Sequence, residues 1–350
     1  MRAVPRHLFL PAATVAQAYA DEAVVTRTGP DGQPTSSASQ PAIVAIMLEQ
    51  LGVEPGHRVL EIGAGTGYNV ALLAHLAGTT GQVTTIDVDA DTAADARRQL
   101  DAAGVRRVEV LAADGWLGHP ASAPYTRIEV TAGIWDVSPS WVDQLVEGGV
   151  LVAPLWLGPG LQASVAFTKS GRELRSRSVV PCGFMRLRGT GAGPDGYQTV
   201  GDWRVAGECM DTGSATLLAG LLATPATSGS APSAPPGWSV RVALSGRRAI
   251  TLIDEPRRRV AAGLFDPGAR ALALAEGTGG WLGRWTPDVV HARGDDGLLV
   301  ELLSLLTEPE PPEVEQLQIL GVRRGDPLPD PRGGPTWVLE RPQHRFLVHV

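Results

Sequence analysis

Glu61, Gly63, Gly65 and Gly67 stand at alternate positions in the stretch Arg58 to Tyr68. This stretch opens as an apolar run and leads into helix-forming residues. Glycine lets a backbone turn tightly and admits a ligand with no Cβ in the way. The helix that follows such a turn aims free N–H groups at the ligand. Thr66 adds a hydroxyl inside the turn. Asp87 lies about 20 positions beyond the glycines, the interval at which an acidic residue meets ribose hydroxyls. Asp114, followed by Gly115, offers a third acidic point, suited to an adenine amino group. A dinucleotide site shares much of this pattern, but it needs Gly-x-Gly-x-x-Gly, and position 68 is Tyr. The Glu61 carboxylate suits a ligand bearing an ammonium group, which S-adenosylmethionine has and a pyrophosphate lacks. The residues therefore favour S-adenosylmethionine, with S-adenosylhomocysteine as product, over a dinucleotide or a Gly-rich turn without a ligand.

These groups need a scaffold that brings them to one edge. Ile43, Ile46, Met47 and Leu51 fall on one helical face that ends at Gly52. Strands are expected at Arg58–Ile62, Gln82–Ile86, Val108–Ala112, Arg127–Ala132 and Val150–Pro154. Helices are expected from the glycines to about Leu76, from about Asp91 to Ala103, and at Trp141–Val146. Thr28 to Ser39 is polar and reads as a loop. Strands alternating with helices imply an α/β fold with a doubly wound, mostly parallel sheet. Ligands bind such sheets at the carboxyl ends of the strands, where Glu61, the glycines, Asp87 and Asp114 are expected.

Bulk properties exclude several classes. The chain has 350 residues, 43% of them hydrophobic, enough for two cored domains. Its net charge of −7 argues against nucleic acid as partner, since phosphate binding wants a basic surface. No run of about 18 apolar residues would span a membrane, and the start MRAVPRHLF lacks a signal-peptide core. A cytoplasmic location is expected. The seven His residues are scattered and the two Cys, Cys182 and Cys209, have no ligand spacing, so no metal site is expected. Both Cys are expected to be buried small residues rather than a disulfide.

Several segments together resemble the protein-L-isoaspartate O-methyltransferase family. They are Val4-Pro5-Arg6-His7-Leu8-Phe9, Ala18-Tyr19, Ser37-Ala38-Ser39-Gln40-Pro41, Val59 to Tyr68, Asp114-Gly115 with Gly118, Ala123-Pro124-Tyr125 and Gly148-Gly149. They run in the family's order across about residues 1–190, and Val179 to Leu187 resembles its closing strand. Ser37 and Ala38 replace the Thr and Ile of the family's Thr-Ile-Ser-x-Pro, and Thr126 stands where Asp is usual. The resemblance implies a class I, Rossmann-like methyltransferase fold and methyl transfer to a carboxylate. It also implies that Ser37 and Ser39 line the cofactor cleft, with Ser39 as the catalytic residue beside the acceptor carboxylate. For Ser39 the alternative role is that of helix N-cap ahead of Ile43.

The chain continues well past the region of resemblance. Residues 1–193 are expected to form the methyltransferase domain and 194–350 an α+β accessory domain, entered through residues that include a Pro/Ser/Ala-rich stretch at 224–237. Repair enzymes of the family are short. Relatives in ribosomal-peptide biosynthesis (lanthipeptides, lasso peptides, graspetides) often carry an extension, and Cys182 to Gly189 looks like their closing strand. The expected activity is thus methylation of an Asp side chain in a modified precursor peptide, leading through the methyl ester to aspartimide or isoaspartate. The extra domain is then expected to recognise the peptide, or else to act as a stabilising or oligomerising appendage. The alternatives to this activity are isoaspartyl repair of damaged proteins and, in another class, a non-catalytic peptide-binding module. Nothing in the sequence fixes the oligomeric state.

Overall fold

The computed structural model describes residues 2–30, 32–158, 161–230, 238–244, 248–254, 258–266, 268, 270–276, 289–295, 297–307, 312–330 and 336–350. They divide into two units, one of 1–155, 163–193 and 318–349, the other of 156–162, 194–317 and 350.

The first unit begins with helix α1 (Val15–Tyr19) and the hairpin β1 (Val24–Thr28) and β2 (Pro34–Ala38). The expected loop at 28–39 therefore contains a strand, Pro34–Ala38. Its polar residues form an antiparallel two-stranded ribbon, whose partner strand gives the backbone groups somewhere to bond. Next come α2 (Pro41–Leu51), β3 (Arg58–Ile62), α3 (Tyr68–Ala77), β4 (Gln82–Asp87), α4 (Ala90–Ala102), β5 (Val108–Ala112) and β6 (Tyr125–Val130). They are followed by α5 (Pro139–Gln144), β7 (Leu145–Gly158), β8 (Leu161–Ser170) and β9 (Glu173–Pro181). Pro41 opens α2 at a position where its missing N–H is no loss, and Gly52 closes it with φ 60°.

The second unit contains β10 (Asp195–Val200), β11 (Trp203–Glu208), α6 (Thr212–Ala223), β12 (Thr227–Ser230), α7 (Trp238–Leu244), β13 (Arg248–Asp254), β14 (Arg258–Asp266), β15 (Ala271–Glu276), β16 (Val289–Arg293) and α8 (Gly297–Thr307). Its strands form one seven-stranded sheet in the order β10-β11-β13-β14-β15-β16-β12. The α+β character is as expected. Of the Pro/Ser/Ala-rich stretch, 227–230 form an edge strand and 231–237 lie outside the described residues.

The chain then returns to the first unit as β17 (Gln318–Arg323), β18 (Thr336–Glu340) and β19 (His344–His349). The division expected at 193/194 falls where the chain leaves the first unit, but residues 318–349 belong to that unit and not to the second. They complete a ten-stranded sheet in the order β18-β19-β17-β9-β8-β7-β6-β3-β4-β5. β17 pairs directly with β9, Gly321 opposite Leu174, so backbone pairing far apart in sequence decides this membership. The five strands β7-β6-β3-β4-β5 pair in parallel. They are the doubly wound half, and the rest adds an antiparallel extension. From β3 the chain moves outward to β4 and β5 and then crosses back to β6. The crevice beside β3 is thus the switch point at which such sheets bind ligands.

Val59, Val83, Val108 and Val150 from the sheet pack against Val44 and Met47 of α2, Ala71 and Leu72 of α3 and Leu100 of α4. Cys182 is buried, as expected, whereas Cys209 is exposed; neither is in a disulfide. Among the described residues no helix is long and apolar enough to cross a membrane, and no group of three His, Cys, Asp or Glu could hold a metal.

Candidate cofactor and acceptor site

The turn after β3 uses its glycines as the sequence implies. Gly63, Gly65 and Gly67 all have positive φ, at 103°, 51° and 83°. A Cβ on Gly63 would lie 2.4 Å from the Thr131 hydroxyl, so a side chain is excluded there by contact as well as by conformation. The Gly63 amide donates to Ile86 O at 2.7 Å, and Thr131 donates to Gly63 O at 2.8 Å. The turn is pinned to β4 and β6 while Gly65 and Thr66 remain half-exposed. Where a Gly65 Cβ would sit, the Ser37 carbonyl is 3.6 Å away. The end of β2 and the turn therefore lie side by side, close enough that a Cβ at Gly65 would touch the Ser37 carbonyl. The half-exposed main chain at Gly65 and Thr66 fits an extended ligand lying along it.

Asp87 ends β4 at 8% exposure. Its carboxylate accepts from the Gly65 amide at 3.2 Å and the Asp89 amide at 3.1 Å. Burial pushes its pKa upward, against those amide bonds and the nearby Arg188. Asp87 thus stands at the turn, as ribose recognition requires. Arg188 approaches it at 3.9 Å and Asp89 at 4.0 Å.

Asp114 is differently occupied. It accepts from the Trp116 amide at 3.0 Å and the Thr190 amide at 2.8 Å. Burial raises its pKa, but the bonds from Thr190 and Trp116 outweigh this and hold it below the usual value. Its oxygens tie down the segment after β9, which leaves less capacity for the expected adenine contact, and Gly115 beside it is buried. That segment leaves the sheet at Pro181 rather than continuing as a strand to Leu187. It returns as a single parallel bridge, with Met185 O accepting from Gly133 and Leu187 N donating to Gly133 O.

Glu61 departs most from expectation. It shares a sheet face with Val59, because alternate strand residues point the same way, and that face lies beneath α3. It is 0% exposed. One carboxylate oxygen accepts from Thr85, the other from the Asn69 amide at 2.8 Å. The expected contact with a ligand ammonium is corrected accordingly: Glu61 acts on the turn from below. Asn69 also donates to Glu129 at 2.8 Å. Burial pushes Glu61 up to about 8, with Glu129 and Asp87 adding to the shift, and pushes Glu129 up to about 7.

Ser39 is half-buried immediately before α2. It is not the N-cap; Gln40 holds that position without a side-chain bond. The free amide of Ala42 donates instead to Asp21 at 2.8 Å, and Asp21 also accepts from Gln40 at 2.9 Å. A charged cap supplied from before the hairpin leaves the Ser39 hydroxyl for another partner. Arg6 fixes the strand end beside it. This guanidinium is 2% exposed, donates to Ala18 O at 2.8 Å and Ala38 O at 3.4 Å, and stacks 5.2 Å above the Tyr68 ring. Arg6, Asn69 and Glu129 were missed by reasoning from sequence. Only Arg6 carried a signal, inside one of the motif segments. Glu129 was hidden because an acidic residue in an apolar strand reads as a surface position.

Residues 1–191 match the model of the protein-L-isoaspartate(D-aspartate) O-methyltransferase family. A protein-L-isoaspartate O-methyltransferase of Methanopyrus kandleri is 40% identical over 207 residues, 57% of this chain and 84% of that protein. One from Methanoregula boonei is 41% identical over 189 residues, 54% of this chain and 82% of that protein. A solved protein-L-isoaspartate O-methyltransferase shares the fold at 22% identity and a TM-score of 0.52, covering 91% of this chain and 88% of that one.

Proposed function

Because the chain belongs to the protein-L-isoaspartate(D-aspartate) O-methyltransferase family, we propose that it methylates the free carboxylate of isoaspartyl residues in proteins or peptides. The observation that carries this reading is Ser39: its hydroxyl is relieved of capping by Asp21, next to Ser37, which lies against Gly65 of the turn.

Methyltransferases of this family use S-adenosylmethionine, which supplies a methyl group already activated on a sulfonium. An ionised carboxylate is already a nucleophile, so no strong general base is needed. The protein must align the acceptor oxygen with the methyl group and strip water from it. Ser39 donates a hydrogen bond to one carboxylate oxygen and holds the other in line. Ser37 and the turn from Gly63 to Gly67 bound the cofactor, with Asp87 receiving the ribose hydroxyls. Bound S-adenosylmethionine would supply the methyl group to the aligned oxygen, its C–S bond breaking as the C–O bond forms, with S-adenosylhomocysteine as the product. The ester is then attacked by the next residue's backbone nitrogen, which expels methanol and closes a succinimide; hydrolysis yields Asp or isoaspartate.

The narrower alternative, an Asp side chain of a ribosomally made and modified peptide, rests on the sequence likeness of Cys182 to Gly189, which does not form a strand here. Its other support, the extra domain, does not discriminate, because a solved structure bearing the isoaspartyl enzyme's name covers 91% of this chain. Methyl transfer from labelled S-adenosylmethionine to an isoaspartyl peptide and to its Asp counterpart separates the readings. Turnover of the isoaspartyl peptide alone is the expected result, and turnover of only the Asp peptide would overturn it.

A further inference from the structure

Thr85, Glu61 and Glu129 form one row across β4, β3 and β6, since Glu61 is in register with Thr85 on one side and Glu129 on the other. Glu61 and Glu129 are 0% and 1% exposed. Two neighbouring carboxylates inside a sheet repel each other when both are ionised, and burial strengthens that repulsion. One side chain from above meets both: Asn69 uses its amide nitrogen on Glu61 and on Glu129, each at 2.8 Å. Its carbonyl oxygen is left buried without a partner. The charged groups that act on Glu61 are Glu129 from β6 and Asp87 from β4, both acidic, while Thr85 from β4 and Asn69 from α3 hydrogen-bond to it. On Glu129 the acting group is Asn69.

The place of this cluster gives it a consequence for binding. Glu61 stands two residues before Gly63, and Asn69 two residues after Gly67. The bond between them joins the base of the cofactor turn to the first turn of α3, whose N-terminal amides face the ligand. We propose that Asn69 and Glu129 are positioning residues for this turn, forming with Glu61 a clasp that retains a proton on one of its two carboxyl groups and loosens the cofactor when that proton is lost. With the proton in place, one acid is neutral and the Asn69 amide holds both oxygens. When the proton goes to solvent, two buried negative charges face each other across the β3–β6 pairing, and their repulsion spreads the two carboxylates that Asn69 holds together. The raised values of Glu61 and Glu129 put this loss just above neutral pH. Ionisation of Asp87, by contrast, favours the ribose contact, so its titration changes affinity in the opposite direction.

The proposal rests on the reading of the turn as the S-adenosylmethionine site. Its test is calorimetric titration of the full chain with S-adenosylhomocysteine from pH 6 to 9.5. For the unaltered protein the affinity is expected to fall about tenfold over that range, one decade being the effect of a single group shifted by one unit. E129Q keeps the size of the side chain and removes one of the two charges, so its affinity should stay within about twofold throughout. E61Q should flatten the profile in the same way. A merely structural cluster would lower the melting temperature of both variants and leave the shape of the profile unchanged, which would overturn the proposal. A flat profile in the unaltered protein would overturn it too while keeping the cofactor site. No binding at any pH would remove both the site and the clasp.

Discussion

The two units of the chain fill their interiors in different ways. The first buries Arg6, Glu61, Asp87, Glu129, Asp136, Arg341 and His344. Among the described residues of the second, the buried polar side chains are Gln162 and Thr251. Its helices cover a sheet of Val205, Ile250, Leu252, Phe265, Leu272 and Leu274. Buried charges destabilise unless they are paired or hydrogen-bonded, and in the first unit several are held in just this way. Asp136, for example, accepts from the Gln343 amide at 2.6 Å and lies 3.3 Å from Nδ1 of His344. The lesson is that stability and chemistry are separated along the chain. One unit tolerates strained electrostatics around the carboxyl ends of a parallel sheet, and the other follows the ordinary rule of an apolar interior.

This contrast can be tested from both sides. The largest change is expected in the apolar unit. Phe265, fully buried, should cost about 3–5 kcal/mol when replaced by Ala, seen in denaturant unfolding, while S-adenosylhomocysteine affinity is unchanged. A matching loss of affinity would show that the units are not energetically separate. In the first unit, Ser39→Ala should slow methyl transfer about 10²-fold, the effect of misaligning the acceptor oxygen, with cofactor affinity preserved; rates measured at saturating cofactor check this. Asp87→Ala should weaken cofactor binding by about 1.5–3 kcal/mol, the worth of hydrogen bonds to a charged acceptor, as read by calorimetry. The smallest and most discriminating pair is Thr85→Val against Thr251→Val. Thr85 donates to buried Glu61, so its loss should destabilise by about 1–3 kcal/mol. The Thr251 hydroxyl is buried without a partner, so the same change should be neutral or mildly stabilising. Equal effects from the two would break the comparison.

A global pH effect belongs to the first unit as well. Glu61 and Glu129 hold protons more tightly folded than unfolded, so the native state binds more protons and its stability declines with rising pH. The decline starts near the ordinary carboxyl value of about 4.5 and ends once pH passes the folded values of about 7 and about 8. Denaturant titrations of E61Q and E129Q should each show a shallower slope than the unaltered chain across this window.

Much of the site was legible before any coordinates. The spacing of Gly63, Gly65, Gly67 and Asp87 reflects local stereochemistry: a strand must end, a turn must take positive φ, and the next strand must return alongside. Such constraints act over about 20 positions and leave a readable pattern. The helix face of Ile43 to Leu51 and the alternation of strands and helices through β7 are legible for the same reason. The hairpin at 24–38 was not, because a two-stranded polar ribbon has neither an apolar face nor a regular period to detect.

Other features depended on partners distant in sequence. Asp21 caps α2 across 21 positions, Thr190 occupies Asp114 across 76, and β17 joins β9 after an entire second unit has intervened. The importance of Glu61 is legible in sequence, but the direction it faces is not. A carboxylate beside a glycine turn and a carboxylate beneath it are identical in sequence; the helix folded over β3, bringing Asn69, and the parallel register with β6, bringing Glu129, decided between them. The sequence by itself determined the family, the glycine turn and the chemistry available at the strand ends, because those follow from short-range backbone geometry. Only the tertiary structure decided which acidic groups face the cleft and which hold it from within, because burial and charge pairing are properties of elements meeting in space.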